Sequence, residues 1–140
     1  TLFKLPGAWL MGVRMCHLDE ETAIATVKHR WLNQNPFNSM FWAVQGMAAE
    51  FPTGILITRE IRRRKMNISM LVLNNKAHFS KKATGRINFT CTQGEEVKKA
   101  ITTLIETKTP QTLWLHAEGV NEKGQIVSQF SFEWTLLLKE

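Results

Sequence analysis

The fold is decided by residues 35–56, which read NPFNSMFWAVQGMAAEFPTGIL. The asparagine-proline pair interrupts the chain, and Asn38 or Ser39 can then accept hydrogen bonds from the first amides of a helix that begins at about Met40. Apolar side chains follow on nearly every side of this helix, which is typical of a helix buried all round. Pro52 has no amide proton to donate and predicts a bend. Such a helix needs other elements to wrap it.

The segment before this helix predicts a hairpin. An apolar-rich extended run covers Trp9 to Leu18, an acidic turn follows at residues 19–21, and Thr22 to Lys28 forms the second strand.

Two strands, an amphipathic helix and two further strands are expected after the long helix. They are Met66 to Phe79, Gly85 to Thr92, a helix from Gly94 that Thr109-Pro110 stops, Thr112 to Val120, and Gln125 to Leu138. In the last strand apolar and polar residues alternate, so that one of its faces is buried. Because short strand-helix-strand crossovers are missing, the order predicts an α+β fold in which a curled antiparallel sheet wraps the long central helix.

The composition is that of a globular domain. A chain of 140 residues suits one domain, so we expect residues 1–140 to form a single unit. The apolar share of 44% and the charged share of 21% are near average, and no stretch resembles a membrane-spanning helix or a secretory signal. These features predict a cytoplasmic protein that has no membrane-spanning segment. Cys16 and Cys91 lie on predicted strands far apart in sequence, and we expect both to be buried free thiols.

The net charge of +6 is concentrated in two groups of basic residues. The first group is Arg59, Arg62, Arg63, Arg64 and Lys65, and the second is Lys76, Lys81, Lys82 and Arg86. An anionic partner fits these groups, and so does a basic surface that only keeps the protein soluble. Neither group is interleaved with the exposed aromatic residues that bind single strands by stacking, so we do not expect nucleic acid as the partner.

Glu50 is the one carboxylate between Trp31 and Thr58, a stretch that also lacks Lys, Arg, Asp and His. Burial disfavours the charged form of a carboxylate, so a glutamate there must find hydrogen-bond partners or stay near the protonation boundary that suits a general base. Alternatively, its carboxylate reaches solvent or a bound water at the bend made by Pro52. The residues alone leave both interpretations open.

Other chemistries have less support in the sequence. The one aspartate, Asp19, lies in a predicted turn, and no Gly-x-Ser-x-Gly pattern is present, which argues against a serine hydrolase. The four histidines lack the paired spacing of a zinc site, and no glycine-rich loop is present to hold a nucleotide phosphate. We therefore expect neither a metal nor a cofactor.

Two segments resemble acyl-CoA thioesterases of the phenylacetic-acid type. Residues 35–50 resemble the stretch in which a His-Gly-Gly motif is followed, nine positions after the histidine, by an acidic residue, and Glu50 falls on that acid. Residues 78–83, which read HFSKKA, resemble the strand end where an aromatic residue precedes a Pro-Ala pair near the thioester. The chain is identified as a member of the hotdog superfamily. It is most similar to an uncharacterised thioesterase-like branch that keeps an Asn-Pro-Phe segment and a helix glutamate without the glycine pair.

This resemblance implies hydrolysis of an acyl thioester, with acyl-CoA as the expected substrate and coenzyme A present only as part of it. Glu50 would activate water or attack the carbonyl itself, and Asn38 or Ser39 could orient the water. Backbone amides near Trp42 and Ala43 would stabilise the oxyanion. The expected contacts with the acyl group are Phe41, Trp42 and Met47, and Ala43 is expected to contact the substrate through its amide. Lys81, Lys82 and Arg86 are the candidates for the phosphates of coenzyme A. Hotdog subunits pair to form their active sites, so a homodimer is also implied, and a tetramer is left open.

The resemblance has one large departure. Phe41-Trp42-Ala43 stands where the related enzymes have His-Gly-Gly, whose small residues let the thioester approach the backbone closely. This replacement is compatible with an altered acyl specificity, with a ligand-binding protein without turnover, or with a degenerate site. The alternative function is therefore a non-catalytic hotdog protein that binds acyl-CoA or an acyl carrier.

Overall fold

The structure is a computed structural model that describes residues 4–139. Its helices are α1 (Pro6–Leu10), α2 (Trp42–Arg64) and α3 (Gly94–Thr107), with a short 3-10 turn at Trp31–Asn33. Its strands are β1 (Arg14–Leu18), β2 (Ala23–Lys28), β3 (Ile68–Phe79), β4 (Arg86–Cys91), β5 (Gln111–Val120) and β6 (Ile126–Leu138).

The six strands of the described range form one antiparallel sheet in the order β1-β2-β4-β5-β6-β3. β6 is paired on both sides, with β5 over most of its length and with β3 from Ser128 to Leu138. Phe130, Phe132, Trp134 and Leu136 alternate along β6 and are all buried, because successive side chains of a strand point to opposite faces. The predicted α+β fold, with a curled antiparallel sheet around a long helix, is confirmed.

Helix α2 packs on the sheet with one side and leaves the other side partly accessible. It contacts β2, β4, β5 and β6. Its buried residues recur every three or four positions, and they are Val44, Gln45, Ala48, Ala49, Pro52, Thr53, Leu56, Ile57 and Glu60. The prediction of burial all round is therefore wrong within a single chain. Pro52 lies inside the helix, which continues as one element to Arg64, and the predicted bend stays a prediction.

The first predicted strand is wrong at its start. Trp9 and Leu10 belong to α1, and β1 begins only at Arg14. Pro6 opens α1, at a position where its missing amide proton costs no helical hydrogen bond.

The two cysteines differ in their environment. Cys16 is exposed, contrary to the prediction, and the pairing of β1 with β2 shifts register around it. Cys91 is buried as predicted, and desolvation raises the pKa of its thiol to about 11. Cys91 is therefore protonated at neutral pH.

Helix α3 joins the C-terminal part of α2 to the sheet. The amide of Gly94 donates to the Glu21 carbonyl at 3.0 Å, and a Cβ at Gly94 would lie 1.9 Å from the Glu20 carbonyl oxygen, so only glycine fits there. Arg64 Nη2 donates to Thr102 Oγ1 at 2.6 Å and links the two helices. No helix within residues 4–139 has the length and apolar character needed to cross a membrane.

Candidate functional site

The loop that leads into α2 is organised by the side chain of Asn35. Its Oδ1 accepts hydrogen bonds from the amides of Phe37 at 2.9 Å and Ser39 at 3.2 Å, and its Nδ2 donates to Ser39 Oγ at 3.1 Å. Asn38 has a left-handed φ of 60°, which asparagine tolerates better than most residues. These contacts bury Ser39 and Met40 at the entrance to the helix.

A cleft of about 670 Å³ opens between this loop, the first turn of α2 and the segment after β3. Its two sides are joined by the amide of Met40, which donates to the Ala83 carbonyl at 2.8 Å. The cleft is lined by Asn35, Pro36, Phe37, Ser39, Met40, Phe41, Trp42, Gln45, Phe79, Ser80, Lys81, Lys82 and Ala83. This volume and a largely apolar lining are typical of a small-molecule site.

The first amides of α2 lack acceptors among the described residues. Phe41 precedes the helix, and its carbonyl accepts hydrogen bonds from the amides of Val44 and Gln45. The amides of Trp42 and Ala43 donate to no other described residue. Free amides at a helix N-terminus, together with the helix dipole, favour negative charge.

The predicted cap of this helix is wrong. No side chain caps α2, and neither Asn38 nor Ser39 accepts a hydrogen bond from its first amides. The side chain of Asn35 already forms hydrogen bonds with the amide and the hydroxyl of Ser39. The polar groups of Ser39 are therefore bonded within the loop. The amides of Trp42 and Ala43 are therefore left without a cap from either Asn38 or Ser39.

Gln45 adds a polar group to the wall of the cleft. Its side chain is 4% exposed, and its Oε1 accepts a hydrogen bond from the hydroxyl of the fully buried Ser128 at 2.7 Å. Its Nε2 donates to no other described residue. In the described chain, only His29 Nε2 is a side-chain polar atom that is both fully buried and without a partner. Because Gln45 Nε2 also lacks a partner there, it is not fully buried and keeps some accessible surface.

Glu50 lies on the outer side of α2, in a second depression of about 350 Å³. This depression is lined by Lys4, Leu5, Glu50, Phe51, Gly54, Ile55, Thr58 and Arg62. Glu50 is exposed in the single chain, which favours the second of the two interpretations that the residues left open, a glutamate whose carboxylate reaches solvent. Desolvation by the surrounding protein raises the pKa of its carboxyl above the ordinary value, and no described residue forms a hydrogen bond with that carboxyl.

The expected site residues separate into two groups. Ser39, Phe41, Trp42, Lys81 and Lys82 line the cleft, whereas Asn38, Ala43, Met47, Glu50 and Arg86 do not. Trp42 is 60% exposed, so it forms part of the cleft wall and does not fill the cleft. Arg86 lies on β4, and its Nη1 donates to Thr26 Oγ1 at 3.1 Å. Within residues 4–139, no cluster of three His, Cys, Asp or Glu side chains could hold a metal.

Part of the first basic group has a structural role. Arg63 and Arg64 contact the carboxylate of Glu60 at 2.5 and 3.1 Å, and the Glu60 side chain is only 3% exposed. Hydrogen bonds from Arg63 above all lower the pKa of the Glu60 carboxyl, and burial opposes them more weakly. Arg62 stays exposed and lines the same depression as Glu50.

Sequence reasoning missed Gln45 and assigned Asn35 only a chain break. Gln45 could have been found by the test applied to Glu50, because it is also a polar residue in an apolar stretch. Its spacing to Ala48, Ala49 and Pro52 places it on the side of the helix that packs inward. The loop contacts of Asn35 had no comparable signal.

A family comparison gives a match over nearly the whole chain. The family described as "Domain of unknown function (DUF4442)" matches residues 1–136. The chain belongs to the DUF4442 family. No curated protein sequence matches it.

Solved structures share the fold of this DUF4442 chain at low sequence identity. A Pseudomonas aeruginosa protein of unknown function, described as a "probable thioesterase", is 19% identical with a TM-score of 0.86. The match covers 99% of this chain and 91% of the Pseudomonas chain. A Chlorobaculum tepidum protein of unknown function is 18% identical with a TM-score of 0.85, over 98% and 89% of the two chains. A Staphylococcus aureus thioesterase is 13% identical with a TM-score of 0.72, over 92% and 96%. These likenesses confirm the hotdog fold, and the phenylacetic-acid branch stays a prediction.

Proposed function

We propose that this DUF4442 protein hydrolyses acyl thioesters and that acyl-CoA is its substrate. The observation that carries the proposal is the largely apolar cleft at the start of α2, next to backbone amides that have no acceptor in the described chain. Proteins of the same fold that are described as thioesterases support this reaction class.

The cleft suits the two ends of an acyl-CoA molecule. Phe37, Phe41 and Phe79 offer apolar surface to an acyl chain, whose burial is favourable in proportion to the apolar area removed from water. Lys81 and Lys82 are exposed on the cleft lining and can bind the phosphates of coenzyme A, for which an ammonium group is a suitable point charge.

The amides of Trp42 and Ala43 are the proposed oxyanion site. In thioester hydrolysis the carbonyl oxygen becomes negatively charged as water adds to the carbonyl carbon. Preorganised amides stabilise that charge without having to reorganise during the reaction. The large side chain at Trp42 does not prevent this role, because it is mostly exposed and leaves the cleft open.

The catalytic carboxylate is proposed to come from a second copy of the chain. Glu50 follows Trp42 by eight residues, which corresponds to a rise of about 12 Å along a helix. Within one chain, Glu50 faces a different depression from the cleft. A two-fold pair of subunits can bring Glu50 of the partner subunit to the cleft, and the second cleft is then completed in the same way.

Strand β3 offers the surface for such a pair. It is an edge of the sheet, it is 12 residues long, and its outer backbone groups have no strand partner in the described chain. Leu71 and Leu73 on this strand are 62% and 50% exposed. Long apolar edge strands are prone to pair with another chain. Pairing through β3, together with the partly accessible side of α2, would therefore form a homodimer.

The proposed chemistry needs one water molecule and no cofactor. Glu50 removes a proton from the water molecule while the water oxygen bonds to the thioester carbon. The electrons of the carbonyl double bond move to the carbonyl oxygen, which the amides hold. When the carbonyl forms again, the carbon–sulfur bond breaks and the thiolate leaves as coenzyme A, which takes up a proton. A raised pKa makes Glu50 a stronger base than an ordinary carboxylate. Direct attack by Glu50 on the carbonyl carbon, with later hydrolysis of the anhydride, is the alternative role of the same residue.

Variants of the Staphylococcus aureus protein support a site that includes the loop and the helix. One of its structures carries alanine in place of a glutamine, and another carries alanine in place of a glutamate fifteen residues later. Asn35 and Glu50 have the same separation in this chain. We propose that Asn35, which holds the loop through Ser39, and Glu50 serve one active site.

Replacement of Glu50 by glutamine tests the reaction. Glu50→Gln should lower kcat/KM on a panel of acyl-CoAs by about 10²–10⁴-fold, the usual contribution of a general base. Release of free thiol measures the rate, and Glu106→Gln, an exposed site on α3, is the matched control. The wild-type pH profile should fall in acid with a midpoint above the ordinary glutamate pKa of about 4.3. A Glu50→Gln protein with wild-type activity would remove the proposal.

Subunit mixing tests whether the active site is shared. Ser80→Trp places a large side chain in the cleft at an exposed position and should abolish activity while leaving Glu50 intact. When this variant is reassembled with Glu50→Gln, each mixed dimer has one intact cleft facing one intact glutamate. Random mixing should therefore recover about a quarter of wild-type activity, since half of the two-fold dimers are mixed. No recovery in confirmed mixed dimers would show that Glu50 serves the cleft of its own chain.

A second candidate function is acyl-CoA binding without turnover. It is favoured by the bulky Trp42 on the cleft wall, where the related enzymes have a small residue near the thioester. Saturable acyl-CoA binding by the wild-type protein, with no thiol released over hours, would support this function. Measurable turnover excludes it.

A further inference from the structure

The amide of Gln45 is unusual within the cleft because the surfaces around it are mainly apolar. Gln45 comes from the inner side of α2, and Ser128 comes from β6, so two elements of the core fix its position. A side chain with 4% exposure that is held by a fully buried hydroxyl has little freedom to turn away.

The side-chain amide of Gln45 lies with its oxygen toward Ser128 of β6. The Ser128 hydroxyl has one proton to donate, and Gln45 Oε1 is the acceptor that takes it at 2.7 Å. With Oε1 engaged in this way, both protons of Nε2 are available, and Nε2 keeps accessible surface where Gln45 lines the cleft. The cleft therefore contains a fixed neutral hydrogen-bond donor.

A donor in this position penalises a purely alkyl ligand. An alkyl chain that covers Nε2 removes water from it and returns no acceptor, and an unsatisfied buried donor costs free energy. An oxygen atom on the ligand replaces the lost water. Sites built around such a donor therefore discriminate against ligands that lack the matching acceptor.

The thioester carbonyl is not the expected acceptor of this hydrogen bond. The amides of Trp42 and Ala43 are free at the very start of the helix, whereas Gln45 lies almost one turn further on and faces inward to β6. A second oxygen, further along the acyl chain, matches a donor at that place.

We propose that Gln45 selects acyl groups that carry a hydroxyl or keto oxygen over alkyl groups of equal length. This inference rests on the proposed binding of acyl-CoA in the cleft, and it adds the class of acyl group. Gln45 is the specificity residue, and Ser128 is the positioning residue that holds its amide.

Binding of non-hydrolysable ligands tests the inference separately from catalysis. The probes are pairs of coenzyme A thioethers in which a methylene separates the sulfur from a ketone, with chains of equal length, one alkyl and one with a hydroxyl at the carbon beta, gamma or delta to the carbonyl. At one of these positions the wild-type protein should bind the hydroxylated member about five- to tenfold more tightly, as expected for one hydrogen bond. Equal affinities in every pair, or no binding of any probe, would overturn the proposal.

A double variant assigns the preference to Gln45. Gln45→Met combined with Ser128→Ala removes both polar partners together, so no buried polar atom is left without a bond. It should bind the two members of the preferred pair with equal affinity, and it should bind the alkyl member more tightly than the wild-type protein does, because the alkyl chain no longer covers an unsatisfied donor. An unchanged preference would show that another group reads the oxygen.

A measurement on the wild-type protein covers the case in which the double variant does not fold. The side-chain amide resonance of Gln45 in nitrogen-15 NMR spectra should shift with the hydroxylated probe by clearly more than with its alkyl partner. Equal shifts would overturn the proposal. If wild-type protein prefers the hydroxylated probe but hydrolyses no thioester, the proposed catalysis fails and the acyl preference stands.

Discussion

Glu50 and Glu60 lie on the same helix, and the two sides of that helix treat them in opposite ways. Glu60 is buried on the inner side, where Arg63 and Arg64 bond its carboxylate and lower its pKa. Glu50 is exposed on the outer side, where no residue in the described part of the chain bonds its carboxylate and desolvation raises its pKa. A buried charge with partners is explained by the fold itself. An unpartnered charge on an apolar surface is not, and it is therefore the better candidate for function.

The same contrast holds for the apolar residues of α2. The inner side packs on the sheet with Leu56 and Ile57 almost fully buried. The outer side presents Met47, Phe51 and Ile55, which are only partly covered within one chain. Apolar surface left accessible on a folded chain commonly marks a binding surface. The difference supports a second subunit on the outer side.

The largest effect is expected from the matched isoleucines of the two sides. Ile57→Ala should lower the free energy of unfolding by about 2–5 kcal/mol, because it removes buried methyl groups and leaves a cavity. Ile55→Ala should cost only about 1 kcal/mol, since part of that side chain is already in water. Urea denaturation at low protein concentration measures both changes. Equal losses there would contradict the assignment of an inner and an outer side.

A smaller effect is expected from the buried carboxylate. Glu60→Gln should lower the free energy of unfolding at neutral pH by about 1–3 kcal/mol, because it weakens charge-assisted hydrogen bonds from Arg63 and Arg64. The folded-state pKa of Glu60 is lowered, so its stabilisation is complete above the unfolded value of about 4.3 and is lost as the pH falls through the folded-state pKa. The stabilities of the Glu60→Gln variant and of the wild type should therefore converge in acid, and a difference that stays constant with pH would contradict this assignment.

The smallest effect, with the opposite sign, is expected at Glu50. Its folded-state pKa is raised, so the folded chain is penalised at pH values above that pKa and carries no penalty below the unfolded value of about 4.3. Glu50→Gln should thus raise the free energy of unfolding slightly at neutral pH, within about 0.5 kcal/mol, and should change nothing in acid. Denaturation curves at both pH values check this. A clear loss of stability at neutral pH would give Glu50 a structural role like that of Glu60.

The outcome for particular residues shows how far the candidate site could be predicted. The cleft is lined by some of the expected residues, namely Ser39, Phe41, Trp42, Lys81 and Lys82. They could be named from the sequence because short motifs mark the chain segments on each side of the cleft. Arg86 and Met47 do not line it, since the direction of a side chain depends on the register of a strand or the rotation of a helix in the fold. The hydrogen bond between Gln45 and Ser128 could not be predicted for the same reason, because it joins residues 83 positions apart.

The sequence by itself determined the order of the elements, the antiparallel sheet and the long apolar helix, because hydrophobic periodicity and chain breaks are local properties. The tertiary structure alone decided which side of that helix is covered, which amides are left without an acceptor, and which glutamate is paired. These features depend on contacts between residues distant in the chain, and local propensity carries no information about such contacts. For that reason the fold could be predicted well from the sequence, and the arrangement of the site only in part.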